Sequence, residues 1–363
     1  MRRLLPLFFI AIVLIHGLIH TLGFLKAFDL AEVNELTQEI GRPLGLLWLV
    51  AALVLVVTAV AFGLKKRWWW AAAIVAALLS QILIFTAWQD ARFGSIPNLI
   101  ILVVALLQSG SVRFEGRYRQ DVRSALARAP ARPVETITEA DMATLPYPVQ
   151  RYLRYVSVVG KPKVVSMYAD ITGEMRQKGR AFFPATAEQH NFFDQPTRLF
   201  FMKGRMFGFT VPGYHRYQDK SALMDVRLFG LVPVIRVTGD IAFEADTVTL
   251  FNDMCLMAPA TLIDKRIAWH AIDDVTVRGT FTNQGVAVSA LLYFSSEGQL
   301  VNFVSEDRWD VADMKQYLFS TPVSQYRNLN GYNLPTYGEL IWHYPDGDFV
   351  YGRLEIKNVL YNV

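Results

Sequence analysis

Residues 111–133 carry Arg113, Arg117, Arg119, Arg123, Arg128 and Arg132 against only Glu115 and Asp121. The chain changes character across this segment. Before it the sequence is apolar enough to live in lipid; after it the pattern is that of a soluble β-rich domain. A basic run directly after an apolar stretch resists transfer across a bilayer, so it acts as a topology signal. The expected organisation is a four-helix membrane domain over residues 1–110, a basic linker over 111–140 and a soluble domain over 141–363.

Four stretches have membrane-crossing character: residues 4–25, 44–64, 69–88 and, more weakly, 96–108, which is short and opens with Pro97 and Asn98. The first has the basic start of a signal peptide. It is too long for one and no small-residue cleavage site follows, so it is read as a retained span. Trp48, Trp68, Trp69, Trp70 and Trp88 fall near span ends, where amphipathic rings favour the membrane interface.

Arg2 and Arg3, then Lys65, Lys66 and Arg67, then the six arginines all fall on one side if there are four spans. The other loops are acidic or neutral. This charge distribution predicts both ends of the chain in the cytoplasm. It also accounts for the formal net charge of +4 without nucleic acid, because the basic groups sit at membrane exits, where lipid head groups are the anionic neighbours. The single cysteine, Cys255, excludes an internal disulfide, and one cysteine with six scattered histidines offers no zinc site. No cofactor is expected.

His16 and His20 share a face of the first span. One turn apart, they cannot both be axial ligands of one haem, and helix-packing hydrogen bonds are the expected role.

Beyond the linker, Val149, Tyr152, Leu153 and Val156 follow the spacing of a half-buried helix that Pro148 can start and that Gly160 and Pro162 end. From Lys163 the period is two. Met167, Ala169 and Ile171, then Val277, Gly279 and Phe281, then Val288, Ala290 and Leu292 form one covered face each. Turns at 296–298 and 345–348 predict hairpins. Between 244 and 265 the pattern breaks, with Asn252 or Asp253 as a helix cap and Pro259 as the start of a second turn. Asp264 reads as a further cap, and Asp307 with Arg308 as a surface pair. The fold class is thus an α-helical membrane domain of four spans followed by an α+β, mainly antiparallel β domain: a curved sheet, or half-barrel, with a helical insertion.

The phrases Leu145-Pro-Tyr-Pro-Val-Gln-Arg-Tyr-Leu-Arg-Tyr, Val159-Gly-Lys-Pro, Ala187-Glu-Gln-His, Asn252-Asp-Met-Cys-Leu-Met-Ala-Pro-Ala-Thr-Leu-Ile-Asp and Gly338-Glu-Leu-Ile-Trp resemble a family of uncharacterised bacterial membrane proteins. Its members have N-terminal spans and one soluble domain of unknown function, which implies a bacterial inner (plasma) membrane protein and brings no activity. At fold level, Tyr326-Arg-Asn-Leu-Asn-Gly-Tyr-Asn-Leu-Pro-Thr and the closing Val359-Leu-Tyr-Asn are similar to the end of the lipoprotein-carrier (LolA-like) half-barrel, whose curved sheet holds lipid chains. Those carriers are exported with a cleaved leader, whereas this chain has four spans and cytoplasmic charge signals.

No Gly-x-Ser-x-Gly, phosphate loop, Rossmann glycines or His-Glu-x-x-His is present. Glu188 and His190 share a strand face and could serve as a base and its partner in an enzyme acting on a membrane-borne substrate; otherwise they line a groove. The aromatic load points elsewhere. Phe182, Phe183, Phe192, Phe193, Phe200, Phe201, Phe207 and Phe209 crowd one segment together with Met202 and Met206. At Phe200-Phe201 both faces of a strand are apolar, and each face needs a cover. The expected function is a membrane-tethered module binding membrane lipid or another apolar ligand. Its candidate lining is Glu188, His190, Phe192, Phe200, Met202, Met254, Met257 and Trp342.

Overall fold

The computed structural model describes residues 4–128, 135–206 and 209–363. Arg2, Arg3, Arg132 and Phe207, used in the readings above, lie outside the described residues. Contacts divide the chain into two compact units, one of residues 1–114 with 229–231 and one of residues 115–228 with 232–363.

The first unit is helical. Helices α1 (Leu4–Ala27), α2 (Arg42–Gly63) and α3 (Trp69–Thr86) are followed by the short α4 (Trp88–Ala91) and by α5 (Ser95–Arg128). Four helices are long and apolar enough to cross a membrane. Their core is made of small residues around a few large ones: Val13, Leu55, Ala59, Ala73, Ala76, Ala77, Ile101 and Ala105. Small residues let helices approach where no hydrophobic effect drives them together. Gly23 shows why: a Cβ there would lie 2.3 Å from the Trp48 ring. Trp48 and Trp69 are packed inside the bundle, at 2% and 7% exposure. Helix packing with Gly23 outweighs the interfacial preference of the Trp48 ring.

Helix α5 has 34 residues, about 50 Å of helix against a hydrocarbon layer of about 30 Å. The segment read as a linker is therefore helical as far as Arg128. Its tail carries a buried stripe, Phe114, Tyr118, Val122 and Ala125, spaced four, four and three residues apart, which is a helical repeat hidden among arginines.

The second unit begins with the tail of α5, a single turn α6 (Glu139–Met142) and α7 (Tyr147–Val156). In α7, Val149, Tyr152, Leu153 and Val156 are buried as their spacing requires. The helix stops earlier than expected, at Ser157, whose φ of 68° is left-handed. Six strands follow: β1 (Ser166–Met175), β2 (Phe183–Phe192), β3 (Thr197–Met206), β4 (Phe209–Gln218), β5 (Ser221–Leu228) and β6 (Val232–Thr238). Then come α8 (Asp240–Leu256) and a 3₁₀ turn, Pro259–Ile263. The remaining strands are β7 (Ile267–Ala271), β8 (Thr276–Asn283), β9 (Val286–Phe294), β10 (Leu300–Ser305), β11 (Trp309–Asp310), β12 (Lys315–Gln316), β13 (Leu318–Leu329), β14 (Tyr332–Tyr344) and β15 (Gly347–Tyr361).

Thirteen strands form one antiparallel sheet in the order β6-β5-β4-β3-β2-β1-β15-β14-β13-β10-β9-β8-β7. Two meanders thus join where the first strand pairs with the last, Met167 opposite Tyr361. The ends, β6 and β7, do not pair with each other, so the sheet is open. Helix α8 connects these two edge strands and is buried almost all round, its polar Asp246, Asn252 and Asp253 included. It packs with α7 and the 3₁₀ turn on one face of the sheet, around Phe251, Phe281, Phe303, Leu292 and Val277.

The helical insertion is therefore present but starts at Asp240. Asn252 and Asp253 lie inside α8 and cap nothing. Pro259 does start the second turn.

Candidate functional site

Strand alternation sorts the side chains of β1–β4 onto two faces. Register places Tyr168 opposite His190, Asp170 opposite Glu188, Glu188 opposite Phe201 and Phe201 opposite Tyr214, so these residues share the outer face. Phe192 follows in alternation on that face. Phe200, Met202, His215, Gln189 and Asn191 point the other way, towards α8.

The outer face is covered by the tail of α5. Tyr118 stacks on Phe201, with 5.3 Å between centroids and 18° between planes, and meets Tyr214 edge-on at 5.7 Å. Its hydroxyl shares a 2.8 Å hydrogen bond with His190 Nδ1. Tyr214 donates to Asp121 at 2.7 Å, and Glu115 pairs with Lys203 at 2.8 Å. The second apolar face at Phe200-Phe201 is thus covered by the chain itself.

Burial, with Arg119 nearby, lowers the pKa of His190 to about 4. A histidine neutral far below pH 7 is a weak general base there. Glu188 lies 3.8 Å from Arg119 Nη2. Both residues lie beside the tail of α5, at Arg119 and Tyr118.

The inner face has a polar centre. Asp253 Oδ2 accepts from Gln189 Nε2 at 2.7 Å, Asn191 Nδ2 at 3.1 Å and Arg198 Nε at 2.7 Å. All four residues are buried. Asp246, two turns earlier on α8, is buried as well, and desolvation raises its pKa to about 6 against the pull of Arg198 and Arg308. Burial lowers His215 to about 3.

Beside this centre lies an aromatic group. Phe319 and Trp342 are 5.3 Å apart, Trp342 stacks with Tyr351 at 6.1 Å, and Tyr344 stacks with Phe349 at 6.3 Å. The guanidinium of Arg308 lies 4.0 Å above the Phe319 ring. Phe200 is gripped between Arg198, 4.8 Å over its ring, and the edge of His215. Phe200, Met202, His215, Leu340, Phe349 and Tyr351 are only half-buried. His215 and Tyr351 are surrounded by protein and still keep accessible surface.

The eight candidate residues therefore do not meet at one place. Phe200, Met202 and Trp342 share the inner face. Met254 and Met257, at 1% and 6% exposure, are sealed in the core, Met254 on α8 and Met257 just past its end. Glu188, His190 and Phe192 face outward. The surface-pair reading of Asp307 and Arg308 is replaced: Asp307 accepts from the backbone of Ser289 at 2.6 Å, and Arg308 turns onto the aromatic rings. Arg198, Asp246, His215 and Tyr351 were not singled out in the sequence, and Arg308 was read only as the surface partner of Asp307. Adjacent residues of an extended chain point to opposite sides, and that was the available signal for Arg308.

In the first unit, His16 Nε2 reaches Ser80 Oγ at 3.0 Å and Asn98 Oδ1 at 2.9 Å, the interhelical hydrogen bonds its position called for. His20 bonds within its own helix, Nδ1 to the carbonyl of His16 at 2.9 Å.

The profile of a family of unknown function, DUF6544, matches residues 135–354. The chain belongs to this family. The matched region of this DUF6544 chain runs from just before α6 to the middle of β15. Among solved structures, a LolA-superfamily protein from Nitrosomonas europaea is similar at 8% identity, over 60% of this chain and 92% of that one, with a TM-score of 0.35. A likeness that low carries no argument about the ligand. No curated protein matches the chain closely enough to count as a relative.

Proposed function

We propose that this chain is a membrane-anchored binding module that holds an apolar, lipid-type ligand against the inner face of its open sheet. The observation that carries the reading is the different state of the two sheet faces. The outer face at Phe201 is closed by Tyr118, while Phe200 and Met202, on the same strand, remain half-buried, as Phe349 and Tyr351 do. Aromatic rings and methionine suit variable apolar guests. The four apolar helices would tether the module to a bacterial inner membrane. By the charge rule, its sheet domain would face the cytoplasm.

The test is displacement of a fluorescent phospholipid from the purified full-length protein in detergent. Phe200→Asp and Met202→Asp should weaken binding by about tenfold or more, since each places a charge where an acyl chain packs. Thr186→Asp, on the outer face, should leave it unchanged. Equal binding by all four proteins would overturn the reading.

A further inference from the structure

Arg308 is placed as surface arginines are not. It follows β10 and turns its guanidinium face onto Phe319 at 4.0 Å, with Trp342 at 5.5 Å. Its Nη2 donates to the Tyr351 hydroxyl at 3.3 Å. Stacking occupies the face of the group and leaves N–H edges for an acceptor.

The carboxylates around it are engaged elsewhere. Asp307 is held by the Ser289 backbone. Asp310 accepts from Tyr344 at 2.5 Å and from the Ala312 backbone at 2.9 Å. Asp253 is taken by Arg198 at 2.7 Å. Asp246 also feels Arg308, yet no carboxylate lies within ion-pair distance of Arg308 among the described residues. His215, the other titratable neighbour, is neutral. A half-buried guanidinium on an aromatic floor without a counter-ion is an incomplete anion site, because a planar fork of donors suits phosphate or carboxylate oxygens.

Resting on the reading above, we infer that the ligand is an amphiphile with an anionic phosphate head: Arg308, with the Tyr351 hydroxyl, takes the head group, and Phe200 and Met202 take the chains. Phe319 and Trp342 fix the guanidinium and exclude water on one side of it, which strengthens its hydrogen bonds to an oxyanion.

The experiment uses the full-length protein in neutral detergent with a bound fluorescent phospholipid. It is displaced in turn by phosphatidylglycerol, by phosphatidylcholine of the same acyl chains, and by inorganic phosphate. Phosphatidylglycerol should bind about tenfold or more tighter than phosphatidylcholine, because the choline cation offsets the phosphate charge and is repelled by Arg308. Arg308→Gln should bring the two affinities together, and Arg308→Lys, which keeps the charge but not the planar stacked fork, should restore only part of the preference. Equal affinities in the unaltered protein would overturn the head-group assignment and leave the binding reading standing. Displacement by neither lipid would overturn both. Displacement by inorganic phosphate alone would make this a free-anion site and overturn the lipid assignment. The comparison in the unaltered protein decides the matter even if Arg308→Gln fails to fold.

Discussion

The rings of Tyr118 and Phe201 lie 5.3 Å apart and 18° from parallel, and Tyr118 is 1% exposed. The contact joins the arginine-rich helix tail to the outer face of the sheet domain. Tyr118→Ala should destabilise the protein by about 3–5 kcal/mol, the range for deleting a buried aromatic ring. Tyr118→Phe, which loses only the bond to His190, should cost about 1 kcal/mol. Thermal unfolding followed by tryptophan fluorescence separates the two; equal costs would mean that the stack contributes nothing.

The pair of Arg198 and Asp253 is a second test of packing. Arg198→Ala leaves a buried carboxylate with two amide donors only, and should cost about 3–5 kcal/mol. Replacing both residues by apolar ones of similar size should cost less than that single change. Chemical denaturation of the four variants as a cycle checks this, and simple additivity would contradict it.

Asp246 gives a pH-dependent prediction. Its folded pKa is raised from 3.8 to about 6, so between those values the native state binds more protons than the unfolded chain. The favourable contribution is full below the unfolded value and is lost as pH rises through 6. Asp246→Asn should therefore match the unaltered protein near pH 4 and exceed it near pH 8, by on the order of 2–3 kcal/mol. His190 and His215, both lowered, act in the opposite direction but equally in both proteins, so the difference isolates Asp246. Melting temperatures at the two pH values measure it; a constant offset would contradict it.

How much of this was legible depended on how strongly each segment was patterned. Strands β1, β8 and β9 bury Met167, Val277 and Leu292 on one face and were readable from period two alone. The hairpin at Pro345-Asp346 was equally plain. Strands β2–β6 were not delimited, because a strand apolar at both Phe200 and Phe201 has no period to read. The α5 tail reads as a linker because its arginines mask the Phe114–Tyr118–Val122–Ala125 stripe. Its partner strands lie more than fifty residues away, so no local signal said what the stripe would cover. The inner charged centre was illegible for the same reason: Asp253 reads as a cap until Gln189, Asn191 and Arg198 are brought to it.

The charge distribution also predicts an orientation for the chain. With Lys65, Lys66, Arg67 and the arginines from Arg113 onward on one side, a fluorescent protein fused after Val363 should be bright and an export-dependent phosphatase fusion inactive. An active phosphatase would place the sheet domain outside the cytoplasm.

The most direct test of the binding reading is photolabelling of the purified full-length protein with a phospholipid bearing a diazirine in its acyl chain, mapped to single residues by mass spectrometry. Label in the second unit should fall on Phe200, Met202, His215 and Phe349, all half-buried on the inner face. Label confined to the spans, or to outer-face residues such as Tyr168 and Tyr214, would contradict it.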